Sequence, residues 1–120
     1  MKREVYFETL KQITVDAGLI SEIQEVYGCK LPHDIQCIVS AHKTEAFIEG
    51  EHFCRILTSS EILNASAELH VDFAKYNIIP FFDVEDNNFV VFDFQKKCWK
   101  KFNIVDEVSY GERTSLNEII

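Results

Sequence analysis

The chain has 120 residues, 47% hydrophobic and 27% charged, with a net charge of −8 and ten Phe, four Tyr and one Trp. That length fits one domain over residues 1–120 with a real core, and the balance of apolar and charged residues excludes a disordered chain. The acidity argues against direct nucleic-acid binding, which needs clustered Lys and Arg.

Val5, Tyr6, Leu10 and Ile13 recur at helical spacing, so residues 3–13 are predicted helical. Thr14 to Gly18 interrupts. A second helix follows with Ile20, Ile23, Val26 and Tyr27 on one apolar face; Ser21 serves as its cap or lies in its first turn, and Gly28 ends it by adopting positive φ. Pro32 opens a third helix, where its missing N–H is harmless. Asp34 sits in the first turn, and Ile35, Ile38, Val39 and His42 share a face.

Residues 43–51 are polar and charged around Ala46-Phe47-Ile48, with a turn at Gly50, and Phe53 to Leu57 is a short strand. Thr58 and Glu61 have capping-box spacing, with Ser59 and Ser60 as alternative caps, before a helix expected to run to about residue 75.

The apolar runs Ile78–Phe82 and Phe89–Phe92 flank an acidic break and predict a β-hairpin, with Asn87-Asn88 as the tight turn. Gln95-Lys96-Lys97 is a second turn, and Cys98 to Ile104 a third strand. Alternation across a half-buried sheet places Ile79, Phe81, Val91 and Trp99 in the core. Asp106 to Arg113 reads as polar loop, and Ser115 as the cap of a final short helix. No internal repeat, low-complexity tract or domain boundary is evident. Helices followed by an antiparallel meander indicate an α+β fold, with N-terminal helices packed on a mainly antiparallel sheet.

Met1-Lys2-Arg3-Glu4 has no apolar stretch after its basic residues, so no signal peptide is expected. No apolar run reaches the length of a membrane span. A cytoplasmic chain with Cys29, Cys37, Cys54 and Cys98 reduced is the expectation.

Several pieces, in this order, resemble the SUKH superfamily, which includes a yeast regulator of cell-wall glucan synthesis and many bacterial immunity proteins. Tyr27-Gly28-Cys29-Lys30-Leu31-Pro32-His33-Asp34 is similar to its Tyr-Gly-x-x-Leu-Pro-x-Asp element. Arg55 to Leu63 looks like its strand leading into a helix, and Ile79 to Asp83 with Phe89 to Asp93 like its central hairpin. Ser115 to Ile120 looks like the start of its final helix. The chain departs from the family at Ser40-Ala41-His42-Lys43, where Asn-Gly is common, and at Glu85-Asp86-Asn87-Asn88, where the hairpin is usually Gly-rich. The resemblance implies a binding domain without a shared catalytic site. Its bacterial members typically neutralise a cognate polymorphic or contact-dependent-inhibition toxin domain, often a nuclease.

Other chemistry is weaker. Cys29, His33 and Cys37 have a spacing able to hold zinc, but Pro32 places Cys29 outside the helix. Asp83, Glu85 and Asn87 start a calcium-loop pattern that fails at Asn88 and Phe94. His52 and Cys54 would share a strand face, although structural use is the plainer reading. Lys96, Lys97, Lys100 and Lys101 around Trp99 and Phe102 suggest a nucleic-acid surface, yet turn lysines also protect sheet edges. No enzyme activity, metal or cofactor is expected.

The expected function is therefore that of an immunity protein covering a basic nuclease toxin by occlusion; the alternative is a regulatory scaffold acting on a host protein. Residues 61–120 carry eleven acids against six bases, and residues 1–60 nine against six. Asp83, Glu85, Asp86, Asp106, Glu107 and Glu112 are accordingly the candidate partner contacts.

Overall fold

The computed structural model describes residues 1–120. Helices α1 (Arg3–Gln12), α2 (Ala17–Tyr27) and α3 (His33–Ala41) precede two short strands, β1 (Ala46–Phe47) and β2 (Arg55–Ile56). Helix α4 (Ser59–Leu69) and a 3-10 turn (Phe73–Tyr76) lead into β3 (Ile78–Asp83), β4 (Asn88–Asp93), β5 (Cys98–Asn103) and β6 (Val108–Arg113). A last 3-10 turn covers Leu116–Glu118. The six strands form one antiparallel sheet in sequence order, giving the expected α+β fold with its helices N-terminal to the sheet. No helix is long and apolar enough to cross a membrane.

Local chemistry explains most helix ends. Asp16, not Ser21, caps α2: its Oδ1 accepts from the Leu19 N–H at 3.2 Å, and Ser21 lies one turn inside. Gly28 closes that helix at φ 66°, a left-handed conformation that favours glycine. Val26 is half exposed rather than on the buried face. The capping box of α4 is complete, with Thr58 Oγ1 accepting from Glu61 N–H and Glu61 Oε1 from Thr58 N–H. That helix stops at Leu69, short of residue 75, because His70 turns left-handed and Asp72 caps the following 3-10 turn.

The sheet has a period that the sequence reading missed. Strands β3 to β6 begin at residues 78, 88, 98 and 108, each six residues long and separated by four. The first three end in Asp83, Asp93 and Asn103. Each of these side chains accepts N–H groups of the turn after it: Glu85 for Asp83, Gln95 and Lys96 for Asp93, Val105 and Asp106 for Asn103. Residues 108–113, expected as loop, form the fourth strand of this series. Their side chains are exposed throughout, so no buried alternation marks them. The first turn also sits one residue early: its central pair is Asp86-Asn87, both at positive φ, and Asn88 already belongs to β4.

The centre of the sheet is buried on both faces, not one. Adjacent residues of β4 point to opposite faces, yet Val90, Val91 and Phe92 are all buried. Phe82 pairs with Val90 and meets Tyr6 of α1, whereas Phe102 pairs with Phe89 and meets Phe73 and Tyr76 of the 3-10 turn. Ile79, Phe81, Val91 and Trp99 lie in the core as expected.

On the α1 side the core contains a histidine. His42, at the C-terminal end of α3, is wholly buried. The Leu57 carbonyl, 3.0 Å from Nδ1, can only accept, so Nδ1 carries the proton and Nε2 accepts from the Tyr6 hydroxyl at 2.7 Å. Burial lowers the His42 pKa to about 3, against a smaller upward pull from the Leu57 carbonyl.

Two expectations follow. Val91→Asp and Phe92→Asp should each lower stability by at least about 3 kcal/mol in urea denaturation, because each places a carboxylate in packed core, while Ser109→Asp on β6 should change it by less than about 0.5 kcal/mol. For His42, the folded pKa lies below the unfolded value, so its stabilising contribution is complete above about pH 6.5 and is lost as pH falls toward 3. The unfolding free energy from urea denaturation should thus begin to drop below pH 6.5, by up to about 1.4 kcal/mol per pH unit, before the carboxylates protonate. A flat profile from pH 7.5 to 5 would contradict the buried neutral imidazole.

Candidate functional site

In a meander, alternate turns lie at the same end of the sheet. The β3–β4 and β5–β6 turns are therefore neighbours, and the chain ties them together. The Ile104 N–H donates to the Asn87 carbonyl at 2.9 Å, and the Asn103 side chain donates to Asn88 Oδ1 at 3.1 Å and to the Asp86 carbonyl at 3.4 Å. This gathers Glu85, Asp86, Asp106 and Glu107 at one end of the sheet, all exposed.

The six candidate contacts thus divide. Glu85 and Asp86 project from a tip in which Glu85, Asp86 and Asn87 have φ of 75°, 55° and 63°. Asp and Asn tolerate left-handed backbone, whereas Glu rarely adopts it, so any strain in the tip falls on Glu85. Asp106 is exposed in the neighbouring turn; Glu107 beside it accepts a hydrogen bond from the Tyr76 hydroxyl at 2.8 Å and raises that phenol's pKa. Asp83 has a different task. It accepts from the Glu85 N–H at 3.0 Å and lies 3.8 Å from Arg55, which also contacts Glu61 at 3.0 Å and Glu45 at 3.2 Å. Glu112 lies toward the other end of β6, where burial first and the Glu112 carboxylate second push the Cys98 thiol up.

Next to the acidic tip is a groove of about 450 Å³. It lies on the α1 face of the sheet, where the cross-strand row Phe82, Val90, Lys101, Tyr110 runs out from under the helices. Phe53 and Tyr110 line it with open faces, 36% and 46% exposed. Phe47 stands edge-to-face against Phe53 at 5.5 Å. Glu49 and Glu51 join Glu85 and Asp86 around it. Sequence reasoning did not single out Glu49, Glu51, Phe53 or Tyr110. They come from distant segments, and only the 43–51 charge content hinted at them.

The other constellations have structural explanations. Cys37 Sγ lies 3.6 Å from His33 Nε2 along α3, and no group of three or more potential metal ligands forms around them. His52 and Cys54 precede β2 rather than sharing a strand. Burial raises the Cys54 thiol to about 11, with Arg3 pulling down and Asp83 pushing up, which is the opposite of an activated nucleophile. Trp99 and Phe102 are buried and cannot stack on bases, and Lys100 is paired with buried Asp93 at 2.8 Å. Burial opposes the Asp93 charge, but Lys100 and the turn N–H groups outweigh it and hold the carboxyl below its usual range.

No family model, curated protein or solved structure matches this chain.

The division between Asp83 and the tip is measurable. Asp83→Ala removes a turn acceptor and a partner of Arg55 and should lower the denaturation free energy by about 1 kcal/mol. Glu85→Gln with Asp86→Asn should leave it within about 0.5 kcal/mol. Equal losses from both variants would assign Asp83 to the surface with the others.

Proposed function

We propose that the protein is a binding module that neutralises a basic toxin domain, a nuclease in the first instance, by covering its active surface. The observation that carries this reading is the convergence of Glu85, Asp86 and Asp106 at one end of the sheet without any ion-pair partner. Carboxylates left unpaired at one end of a molecule with net charge −8 create a negative field that draws in a basic face and orients it. A nuclease cleft that holds phosphates has that character. The groove beside the tip supplies an apolar centre within a charged rim, the usual anatomy of a protein interface. The resemblance to immunity proteins of the SUKH superfamily points the same way.

The mechanism is occlusion. Long-range attraction brings the acidic end onto the toxin, and the rigid sheet then holds the toxic site closed to its substrate. No chemistry on the toxin is involved.

The test is association with any toxin domain found encoded beside this gene, measured by stopped flow across salt concentrations. Charge reversal of Glu85, Asp86 and Asp106 to Lys should slow association at low salt by about tenfold or more, and added salt should narrow the difference. An association rate indifferent to both salt and reversal would remove the acidic end from the interface. If the neighbouring toxin is neither bound nor neutralised, the regulatory-scaffold reading takes its place.

A further inference from the structure

The groove beside the acidic tip has a specific chemical character. Its lining includes four carboxylates, Glu49, Glu51, Glu85 and Asp86, and none of them is in an ion pair. Two cations also reach it. Arg3 is engaged elsewhere: its guanidinium donates to the carbonyls of Asn117 and Ile120 and lies 5.3 Å from the Phe7 ring centroid. Lys101 is the only unengaged positive group in the lining. Between the carboxylates stand the open rings of Phe53 and Tyr110. A volume of about 450 Å³ fits a long side chain with its neighbouring backbone.

We infer that this groove is a docking site for an arginine side chain carried on an exposed segment of the partner protein. The inference rests on the toxin-binding reading for the identity of the partner, but not for the chemistry. A guanidinium is planar and weakly hydrated, so it stacks on an aromatic face while its fork of N–H groups meets carboxylates at the edge. An ammonium is a compact, strongly hydrated charge and uses such a site less fully. A polyanion is excluded by the excess of carboxylates. A purely apolar side chain would leave those carboxylates partly desolvated and unpaired. A second copy of this chain is disfavoured by its own charge of −8, and two of its three arginines, Arg3 and Arg55, are already engaged, leaving Arg113.

The experiment titrates the full chain with tetra-arginine and tetra-lysine peptides of equal charge, followed by amide NMR shifts at about 0.15 M salt. Tetra-arginine should bind about fivefold more tightly, within what one exposed cation–π contact and a bidentate pair supply. Shifts should centre on residues 49–54, 84–86 and 110. Tyr110→Ala and the double variant Glu49→Gln, Glu51→Gln should each abolish the preference for arginine. These positions are exposed, and a thermal melt establishes that each variant is folded; should one unfold, the other decides. Equal affinity for the two peptides, or a preference that survives both variants, overturns the inference. So does a concentration-dependent dimer dispersed by Arg113→Ala, which would place a second copy in the groove. The peptide titration needs no toxin. Loss of the arginine preference with toxin neutralisation intact removes the groove alone, and arginine binding without toxin binding removes the toxin reading alone.

Discussion

His42 has both ring nitrogens occupied inside the core, and as a neutral ring it makes both bonds in only one tautomer. Through them it joins α1, by the Tyr6 hydroxyl, to the end of β2, by the Leu57 carbonyl. Its own carbonyl accepts from the Ser59 hydroxyl at 2.7 Å and from the Ser59 N–H, which fixes the start of α4. Its ring lies edge-on to Phe81 and Phe82 of β3. Five elements thus meet at one side chain whose charged form the core cannot hold. With that contact in place, α1 lies over Phe82 and not farther out, and the sheet beyond Lys101 stays uncovered. The groove lies at the edge of the helical layer, where Arg3 at the start of α1 lines it.

The meander sets the other half of the site. Six-residue strands joined by four-residue turns put every second turn at the same end, so the two most acidic turns cannot avoid each other. The strand-ending Asp83, Asp93 and Asn103 secure this by satisfying turn N–H groups that would otherwise need water. Asp93 carries the heaviest share. Its second oxygen binds Lys100 from the next strand, so the β4–β5 turn is held from both sides while its carboxylate is buried.

What could be read from the sequence followed the strength of local signals. Gly28 at a helix end and the Thr58–Glu61 capping box act within a few residues, and both were legible. So were the β3–β5 strands, with their long apolar runs. The missed β6 has no buried side chain; it is a strand because it continues a ten-residue spacing and pairs with β5, with Gly111 left-handed at φ 67° near its irregular pairing. The regular Asp83, Asp93, Asn103 interval was present in the sequence, but it is visible only once those residues are taken as turn caps and not as surface charge. The structural role of Asp83, as a turn cap and a partner of Arg55, was not read from the sequence for the same reason. The groove had no such signal, since Phe53, Glu85 and Tyr110 meet only through the pairing of β2 to β6.

The carboxylates of this protein fall into two populations with opposite effects on the isolated fold. Asp83, Asp93 and Glu61 sit beside cations and backbone N–H groups, and their charges hold turns and a helix start in place. Glu49, Glu51, Glu85, Asp86 and Asp106 are in no ion pair, although Lys101 lines the same groove as the first four. Gathered at one end, they repel one another, and Glu85 sits on left-handed backbone that a glycine would adopt without strain. In the groove Lys101 is the one unengaged cation against that repulsion, and a basic surface laid against the end would offset more of it. A partner that binds only the folded chain also stabilises it by mass action. On the proposed reading the acidic end is half of an interaction, its mutual repulsion relieved once a cation of complementary shape lies across it.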